Sequence, residues 1–307
     1  RSRRNGRCPT PNVTLRWVPE GDTLRRLADK ITDRFAGARV ERSVMRDPRL
    51  AGVDLVGAVL DGADAYGKHL FVRFDDGRSL HAHLLMTGGF EVGRPSREST
   101  WRRRVELWLD SGRLTGVAVP ILGMVPTRAE HAITQHLGPD LCARSGPPDV
   151  DEIFERMLRA PDEPLAGALL DQRNAAGFGN VYANDVPFIA AIDPHQPVGT
   201  IDGLADLVAI GTALIRTNAE RGPQNTTGRR LHTDAGWVHG VGRRPCPVCG
   251  ERLGYDDDER TPWRRSITWC PSCQPAGERV AVDLRRVRRL IGLHPAVKQA
   301  VFPPASP

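Results

Sequence analysis

The stretch LLDQRNAAGFGNVYAND, residues 169–185, contains a glycine-rich turn followed by an apolar helical pattern. Gly177 and Gly179 flank Phe178, and Asn180 stands where the helix would begin. The free N–H groups at a helix N-terminus bind phosphates well, so Asn180 is a candidate phosphate contact. An ordinary asparagine N-cap is the alternative, but it would account for Asn180 and not for the neighbouring glycines.

Helical patterning surrounds this turn, from about residue 127 to residue 221. Ahead of it, residues 38–122 contain short, partly alternating stretches such as HLFVRFDD and RRVELWLDSGR, separated by turn signals. This rhythm predicts antiparallel strands packed as a β-sandwich. A short helix is expected after Pro19, with Asp22 or Thr23 as its cap. The predicted fold class is therefore α+β.

Four of the six cysteines are clustered near the C-terminal end, and the other two, Cys8 and Cys142, stand alone in the sequence. The clustered cysteines are Cys246, Cys249, Cys270 and Cys273. The last four make two CxxC pairs with twenty residues between them. Paired CxxC motifs in a chain without a secretion signal favour metal over disulfides, and four thiolates complete the tetrahedral shell of Zn²⁺. We expect one structural zinc ion holding a hairpin that is too small to fold alone, with four unmetallated thiols as the alternative.

The net charge of +6 and the isoelectric point near 9.3 favour a polyanionic partner. The alternative is that the same excess of basic residues arose by ordinary drift of surface positions. No apolar run is long enough for a membrane span, and residues 1–18 lack the apolar core of a secretory signal. We expect a protein of the cytoplasm.

Only Lys30, Lys68 and Lys298 among the 43 basic residues are lysines. This bias is typical of a GC-rich genome, in which GTG is a common start codon and encodes valine at internal positions. We therefore expect translation to start at Val18, so that residues 1–18 are a non-native leader.

Five motifs follow one another along the chain: PEGDT (19–23), GKHLFVRF (67–74), HLLMTG (83–88), the glycine-rich turn and the four-cysteine hairpin. In this order they resemble the formamidopyrimidine-DNA glycosylase/endonuclease VIII family over about residues 19–275. The resemblance implies a β-sandwich domain with a catalytic N-terminal helix (19–130), a helix–two-turn–helix domain (131–240) and a zinc finger (243–275), followed here by a basic tail (276–307).

The resemblance also implies the activity, which is removal of damaged bases by a glycosylase that is also an abasic-site lyase. The PEG opening favours the endonuclease VIII branch and oxidised pyrimidines, while a preference for oxidised purines stays open. The implied partner is duplex DNA with an oxidised base or an abasic site, bound by a monomer. The resemblance also implies a bacterial protein of the cytoplasm, associated with the nucleoid. A non-catalytic, zinc-containing protein that binds damaged DNA is the alternative from another functional class.

Three residues match the catalytic positions of the family. Pro19 would be the nucleophile once its nitrogen is a free secondary amine. Glu20 matches the acid that protonates the sugar ring oxygen, with an N-terminal helix acid favoured by the helix dipole as the alternative. Lys68 aligns with a lysine that faces the DNA backbone, although chance retention of a lysine is a rival explanation.

The DNA-binding positions are His83, Met86, Asn180 and Arg265. Met86 would fill the gap left by the flipped base, whereas a core methionine is the alternative. His83 is either a phosphate contact or a buried, satisfied histidine. Asn180 and Arg265 would hold the phosphates near the lesion, with a solvated charged turn as the alternative for Arg265.

Two departures from the family pattern lead to further expectations. Thr23 stands where many members have a second glutamate, so a supporting carboxylate is expected to be missing. The basic tail contains an arginine run and the stretch LIGLHPAVKQAVF. This composition predicts an additional amphipathic helix that packs on the finger or touches DNA.

Overall fold

The computed structural model describes residues 19–229, 235–242, 244–257 and 259–291. The expected leader, residues 1–18, and the end of the expected tail, residues 292–307, lie outside the described residues. Across these described ranges, no helix has the length and apolar character needed to cross a membrane.

The N-terminal helix α1 (Gly21–Phe35) buries one apolar face, because its hydrophobic residues recur every three or four positions. The predicted cap at Asp22 or Thr23 is wrong. The helix begins at Gly21 with Glu20 in the N-cap position, and no side chain caps it. The Glu20 carboxylate instead accepts a hydrogen bond from the backbone N–H of Val181, in another part of the chain.

Residues 40–126, all of which are described, contain two four-stranded antiparallel sheets. The strands are β1 (Val40–Met45), β2 (Leu60–Tyr66), β3 (His69–Phe74), β4 (Arg78–His83), β5 (Gly89–Val92), β6 (Arg103–Leu109), β7 (Gly112–Val117) and β8 (Ile121–Pro126). One sheet has the order β1–β6–β7–β5 and the other β2–β3–β4–β8. Residues from both sheets and from α1 share one hydrophobic core, which confirms the predicted sandwich.

Helices fill the next part of the chain. They are α2 (Glu130–Thr134), α3 (Val150–Met157), α4 (Leu165–Leu170), α5 (Asn180–Ala190) and α6 (Leu204–Arg221). Every residue of α5 is buried, because this helix is apolar on most sides and packs against both α4 and α6. Helix α1 packs on β2 and also on α6, so it joins the sandwich to the helical half.

The C-terminal part adds short elements around α5. Strand β9 (Ile201–Asp202) precedes α6, and the later elements are β10 (Gly254–Asp256), β11 (Ile267–Trp269), β12 (Val280–Ala281) and α7 (Leu284–Ile291). Strands β10 and β11 form the antiparallel cysteine hairpin, and β12 pairs in parallel with β9. The arginine run of the tail forms helix α7, which packs against α5. The rest of the predicted helical stretch, residues 292–302, lies outside the described residues.

The segment before the hairpin has no regular secondary structure in its described residues, as its Gly, Asn and Thr content predicts. It is nevertheless anchored. The Asp185 carboxylate accepts hydrogen bonds from the backbone N–H groups of Trp237, Val238 and His239 at 2.9–3.0 Å. This carboxylate therefore fixes the path of the chain from α5 into the hairpin.

Candidate functional site

A cavity of about 410 Å³ lies where the sandwich, the helical half and the cysteine hairpin meet. Lys68 and His83 line it from the β-sheet, and Asp171 and Gln172 line it from the segment after α4. Trp263 and Arg265 approach from the hairpin. Three separate parts of the sequence therefore contribute polar groups to one cleft, which is typical of a ligand site.

Glu20 is fixed at the junction of α1 and α5. Its side chain is fully buried, and its two oxygens accept hydrogen bonds from the Val181 backbone N–H at 3.0 Å and from Gln224 Nε2 at 3.2 Å. A Cβ atom added to Gly179 would lie 2.4 Å from the Glu20 carboxyl carbon. Glycine is therefore required at position 179 for the carboxyl group to fit.

The backbone makes a second connection at the same place. The N–H of Gly21 donates to the carbonyl oxygen of Gly177 at 3.0 Å, and Gly177 has a φ of +130°, which disfavours residues with a Cβ. The PEGDT and GFGN motifs thus fit against each other, although they are far apart in the sequence.

Burial raises the pKa of Glu20 to about 8, and the charges of Asp22 and Asp185 act in the same direction while Lys68 opposes them. A carboxyl group with such a pKa holds its proton at neutral pH and can act as a general acid. Burial also lowers the pKa of Lys68 to about 8, against the attraction of Glu20. The two residues therefore form an electrostatically coupled pair whose lysine borders the cleft.

Asp22 places a second buried carboxyl group near Glu20. It is fully buried, and its Oδ1 accepts a hydrogen bond at 3.3 Å from the same Gln224 amide nitrogen that serves Glu20. Its Oδ2 lies 3.4 Å from Arg26 Nη1. Neither Asp22 nor Gln224 was among the predicted site residues, because Asp22 has the local signature of a helix cap and Gln224 lies in a Gly-, Asn- and Thr-rich segment without a recognisable motif.

Asn180 begins α5 and is 9% exposed. The N-cap residue is Gly179, and the Asn180 side chain makes no capping bond, so the alternative explanation of Asn180 as an N-cap is wrong. Its Oδ1 atom is buried and has no hydrogen-bond partner within the described part of the chain. The neighbouring Val181 N–H is occupied by Glu20.

Arg265 is exposed on the turn between β10 and β11. Two hydrogen bonds with the Thr261 hydroxyl, at 2.7 and 3.1 Å, hold its backbone, and the preceding Arg264 has a left-handed φ of 54°. The Arg265 guanidinium lines the cleft and its charge lowers the pKa of Lys68. The hairpin therefore places a second cation beside Lys68.

The loop between β4 and β5 presents apolar side chains to solvent. Met86 is 47% exposed and Leu85 is 44% exposed, so the alternative of a core methionine is wrong. His83, at the base of the loop, accepts a hydrogen bond on Nδ1 from the Leu85 backbone N–H at 3.3 Å. Burial and the nearby Lys68 charge lower the pKa of His83 to about 4, so it is neutral at pH 7.

The four hairpin cysteines come together at one point, with all four sulfur atoms within 4.8 Å of one another. The Sγ–Sγ distance is 3.5 Å for Cys249 and Cys270 and 3.9 Å for Cys246 and Cys273. Four sulfurs at about 2.3 Å from a tetrahedral metal are separated by about 3.8 Å from one another. The donor set and its spacing therefore fit a metal ion.

Comparisons with known proteins agree with this geometry. Residues 18–117 match the family model of the formamidopyrimidine-DNA glycosylase N-terminal domain. An endonuclease 8 2 of Mycobacterium bovis is 37% identical over 262 residues, which cover 84% of this chain and 100% of the relative. The chain belongs to the formamidopyrimidine-DNA glycosylase/endonuclease VIII family. A probable endonuclease 8 2 of Streptomyces coelicolor is 36% identical over 281 residues, covering 88% of this chain and 100% of that protein.

Solved structures of the formamidopyrimidine-DNA glycosylase/endonuclease VIII family share the fold. The MutM (Fpg) protein of Thermus thermophilus superposes with a TM-score of 0.68 at 26% identity, covering 84% of this chain and 100% of that one. A Lactococcus lactis formamidopyrimidine-DNA glycosylase bound to abasic-site DNA gives 0.69 at 18% identity with the same coverage. The predicted family and α+β fold are confirmed, and the protein is an enzyme of the DNA glycosylase class.

Proposed function

We propose that the protein is a bifunctional DNA glycosylase and abasic-site lyase of base excision repair, acting as a monomer on oxidised bases in duplex DNA, with a preference for pyrimidines. The observation that carries this proposal is the buried carboxyl group of Glu20, held protonated at neutral pH directly after Pro19 and coupled to Lys68 at the cleft. A buried acid next to a terminal secondary amine suits cleavage of a glycosidic bond.

Pro19 is the proposed nucleophile, and it is partly exposed. The chemistry requires its nitrogen to be the free chain terminus, because an internal proline nitrogen is a tertiary amide whose lone pair is delocalised into the carbonyl group. An α-amino group with a pKa near 8 is about 10% neutral at pH 7, compared with about 0.04% for an ordinary lysine. Such an amine attacks the sugar C1′ and displaces the damaged base.

Glu20 donates its proton to the sugar ring oxygen as the ring opens. The secondary amine then gives an iminium ion at C1′. This ion acidifies C2′, whose proton is lost as the 3′ C–O bond breaks, and a second elimination releases the 5′ phosphate. Lys68, whose ammonium borders the same cleft, faces the DNA backbone at the reacting nucleotide.

The remaining contacts are proposed to hold the DNA around the flipped base. The exposed Met86 enters the space left by the flipped base, since an extruded base leaves apolar surface to be covered. Asn180 and Arg265 contact phosphates, and neutral His83 donates to a phosphate oxygen. Lys68, Asn180 and Arg265 contact the DNA backbone and not base edges, so affinity is expected to fall steeply with salt.

The metal held by Cys246, Cys249, Cys270 and Cys273 is proposed to be one zinc ion. Four thiolates close its coordination shell, so it supplies stability and no reaction step. Its effect on DNA is indirect, because the hairpin it stabilises carries Arg265 into the cleft.

Borohydride trapping tests the proposal directly. A protein that starts at Pro19 is incubated with abasic-site duplex DNA and sodium borohydride, which reduces the iminium to a stable adduct. We expect a covalent complex whose protein site maps to Pro19, and none with a Pro19 nitrogen blocked by an additional residue. Intact DNA binding without any adduct would support the non-catalytic alternative. Excision rates on oxidised pyrimidine and oxidised purine duplexes then decide the base preference.

A further inference from the structure

Trp263 lies in the turn that joins β10 to β11 and packs against helix α4. Its indole ring is partly buried against the core of the helical half. A Cβ atom added to Gly167 of α4 would lie 2.8 Å from Cε3 and 3.0 Å from Cζ3 of this ring, and it would also meet the Glu163 carboxylate. The buried Nε1 atom of the indole has no hydrogen-bond partner in the part of the chain that the structure describes. Trp263 is therefore seated on α4 by its ring carbons and not by its N–H group.

The turn around Trp263 is closed by its own hydrogen bonds. The Thr261 hydroxyl donates to the Arg265 carbonyl oxygen at 2.7 Å and accepts from the Arg265 N–H at 3.1 Å. The Arg264 N–H donates to the Thr261 carbonyl oxygen at 3.1 Å, and the Arg265 Nη1 donates to the Arg264 carbonyl oxygen at 2.7 Å. Residues 261–265 therefore form one unit, and the seat of Trp263 on α4 determines where the Arg265 guanidinium lies.

Arg265 is exposed and has a long, flexible side chain, so contact with a phosphate costs side-chain entropy. The total cost of binding is smaller when the backbone that carries the arginine is already held in place. We propose that Trp263 is a positioning residue, which seats residues 261–265 on α4 and thereby holds the Arg265 guanidinium in the cleft. An indole suits this role, since it buries a large area with few rotatable bonds. The role rests on the proposed contact between Arg265 and a DNA phosphate.

The test is a thermodynamic cycle on DNA binding by the full-length protein. Fluorescence anisotropy over a salt series gives the affinity for a duplex that contains a stable abasic-site analogue. We expect Trp263→Ala to weaken binding about 10-fold or more, as the loss of one charged hydrogen bond does, and to reduce the salt slope by about 0.9. Adding Arg265→Gln to Trp263→Ala should cause little further loss, because the two residues act through the same contact. Trp263→Phe keeps an aromatic ring on Gly167 and should restore most of the affinity. Tyr255→Ala is the matched control, because Tyr255 is a 58% exposed aromatic residue in the same hairpin and lies outside the cleft lining.

A second measurement separates positioning from folding of the hairpin. The metal content of each protein is determined by mass spectrometry under native conditions, and Trp263→Ala is expected to keep the metal content of the native protein. Loss of metal together with affinity would assign the ring to hairpin folding and overturn the proposal. Unchanged affinity in a folded Trp263→Ala protein, or fully additive losses in the double variant, would also overturn it. An unchanged salt slope in Arg265→Gln alone would instead refute the phosphate contact on which the role rests, which keeps the two failures distinguishable.

Discussion

The Glu20 carboxyl group lies directly against Gly179, so closely that a Cβ at position 179 would be 2.4 Å from the carboxyl carbon. Gly179→Ala is therefore expected to displace Glu20, costing about 1–3 kcal/mol of stability through overpacking. We expect base excision to fall by a larger factor, about 100-fold or more, because general acid catalysis depends on placement. Single-turnover excision and thermal unfolding measure the two effects. Gly123→Ala is the control, since a Cβ there meets nothing within 4 Å.

Asp22 is expected to shift the alkaline limit of activity to higher pH. Burial is the main cause of the raised Glu20 pKa, and the charge of Asp22 adds to it. Because Glu20, as the proposed general acid, acts in its protonated form, the rate should decline as pH rises through about 8. Asp22→Asn removes the charge, lowers the pKa of Glu20 and moves this decline to lower pH. The pH profile of single-turnover excision measures the shift. Asp33→Asn, on the exposed face of α1, should leave the profile in place, and an unmoved profile for Asp22→Asn would contradict the coupling.

Glu20→Gln is expected to abolish excision and to stabilise the protein at alkaline pH. The Glu20 pKa rises from 4.5 in the unfolded chain to about 8 in the folded one, so the native state retains a proton that the unfolded state has lost between these values. Stability therefore falls as pH rises through this window. Below pH 4.5 both states are protonated and Glu20→Gln should change little. Urea unfolding at acidic pH and at pH 8 measures the difference, and a variant less stable than the native protein at pH 8 would contradict the assignment.

Arg265→Gln is expected to weaken binding to all duplexes alike. A lost phosphate contact reduces the slope of the logarithm of the binding constant against the logarithm of salt concentration by about 0.9. Fluorescence anisotropy over a salt series measures this slope. Arg260→Gln is the control in the same hairpin, because Arg260 pairs with Asp257 at 3.4 Å and lies outside the cleft lining. A change in base preference with an unchanged slope would argue against a phosphate contact.

His195 is expected to stabilise the hairpin in a pH-dependent way. Its Nδ1 lies 2.8 Å from Asp193 Oδ1 and its Nε2 lies 3.0 Å from Asp256 Oδ2, and the hydrogen bond to Asp193 is the main reason that its pKa is raised above 6.5. The stabilisation is fully present below pH 6.5 and is lost as pH rises through the folded pKa. Thermal unfolding of His195→Gln should differ most from the native protein below pH 6.5 and converge with it at alkaline pH.

Much of the architecture could be predicted from the sequence, because alternation, helical spacing and the CxxC pairs are local signals. The four-cysteine cluster follows from spacing alone, and the sandwich follows from the rhythm of residues 38–122. Asp22 and Gln224 could not be found this way. Gln224 meets Glu20 across 204 positions of sequence, and only the packing of α1 against α6 brings them together. The prediction that Asp22 caps the helix failed for the same reason. The Asp22 carboxylate contacts Gln224, which is distant in the sequence, and the helix already begins at Gly21.

Glu20 is held by Val181 and Gln224, which lie far downstream of it. During synthesis the N-terminal end leaves the ribosome first, but the groups that seat its acid emerge only when most of the protein has been made. A nascent chain can therefore contain the whole β-sandwich before Val181 and Gln224, the hydrogen-bond partners of Glu20, have been synthesised. In the proposed mechanism, an incomplete chain would therefore lack the seated Glu20 that base excision needs.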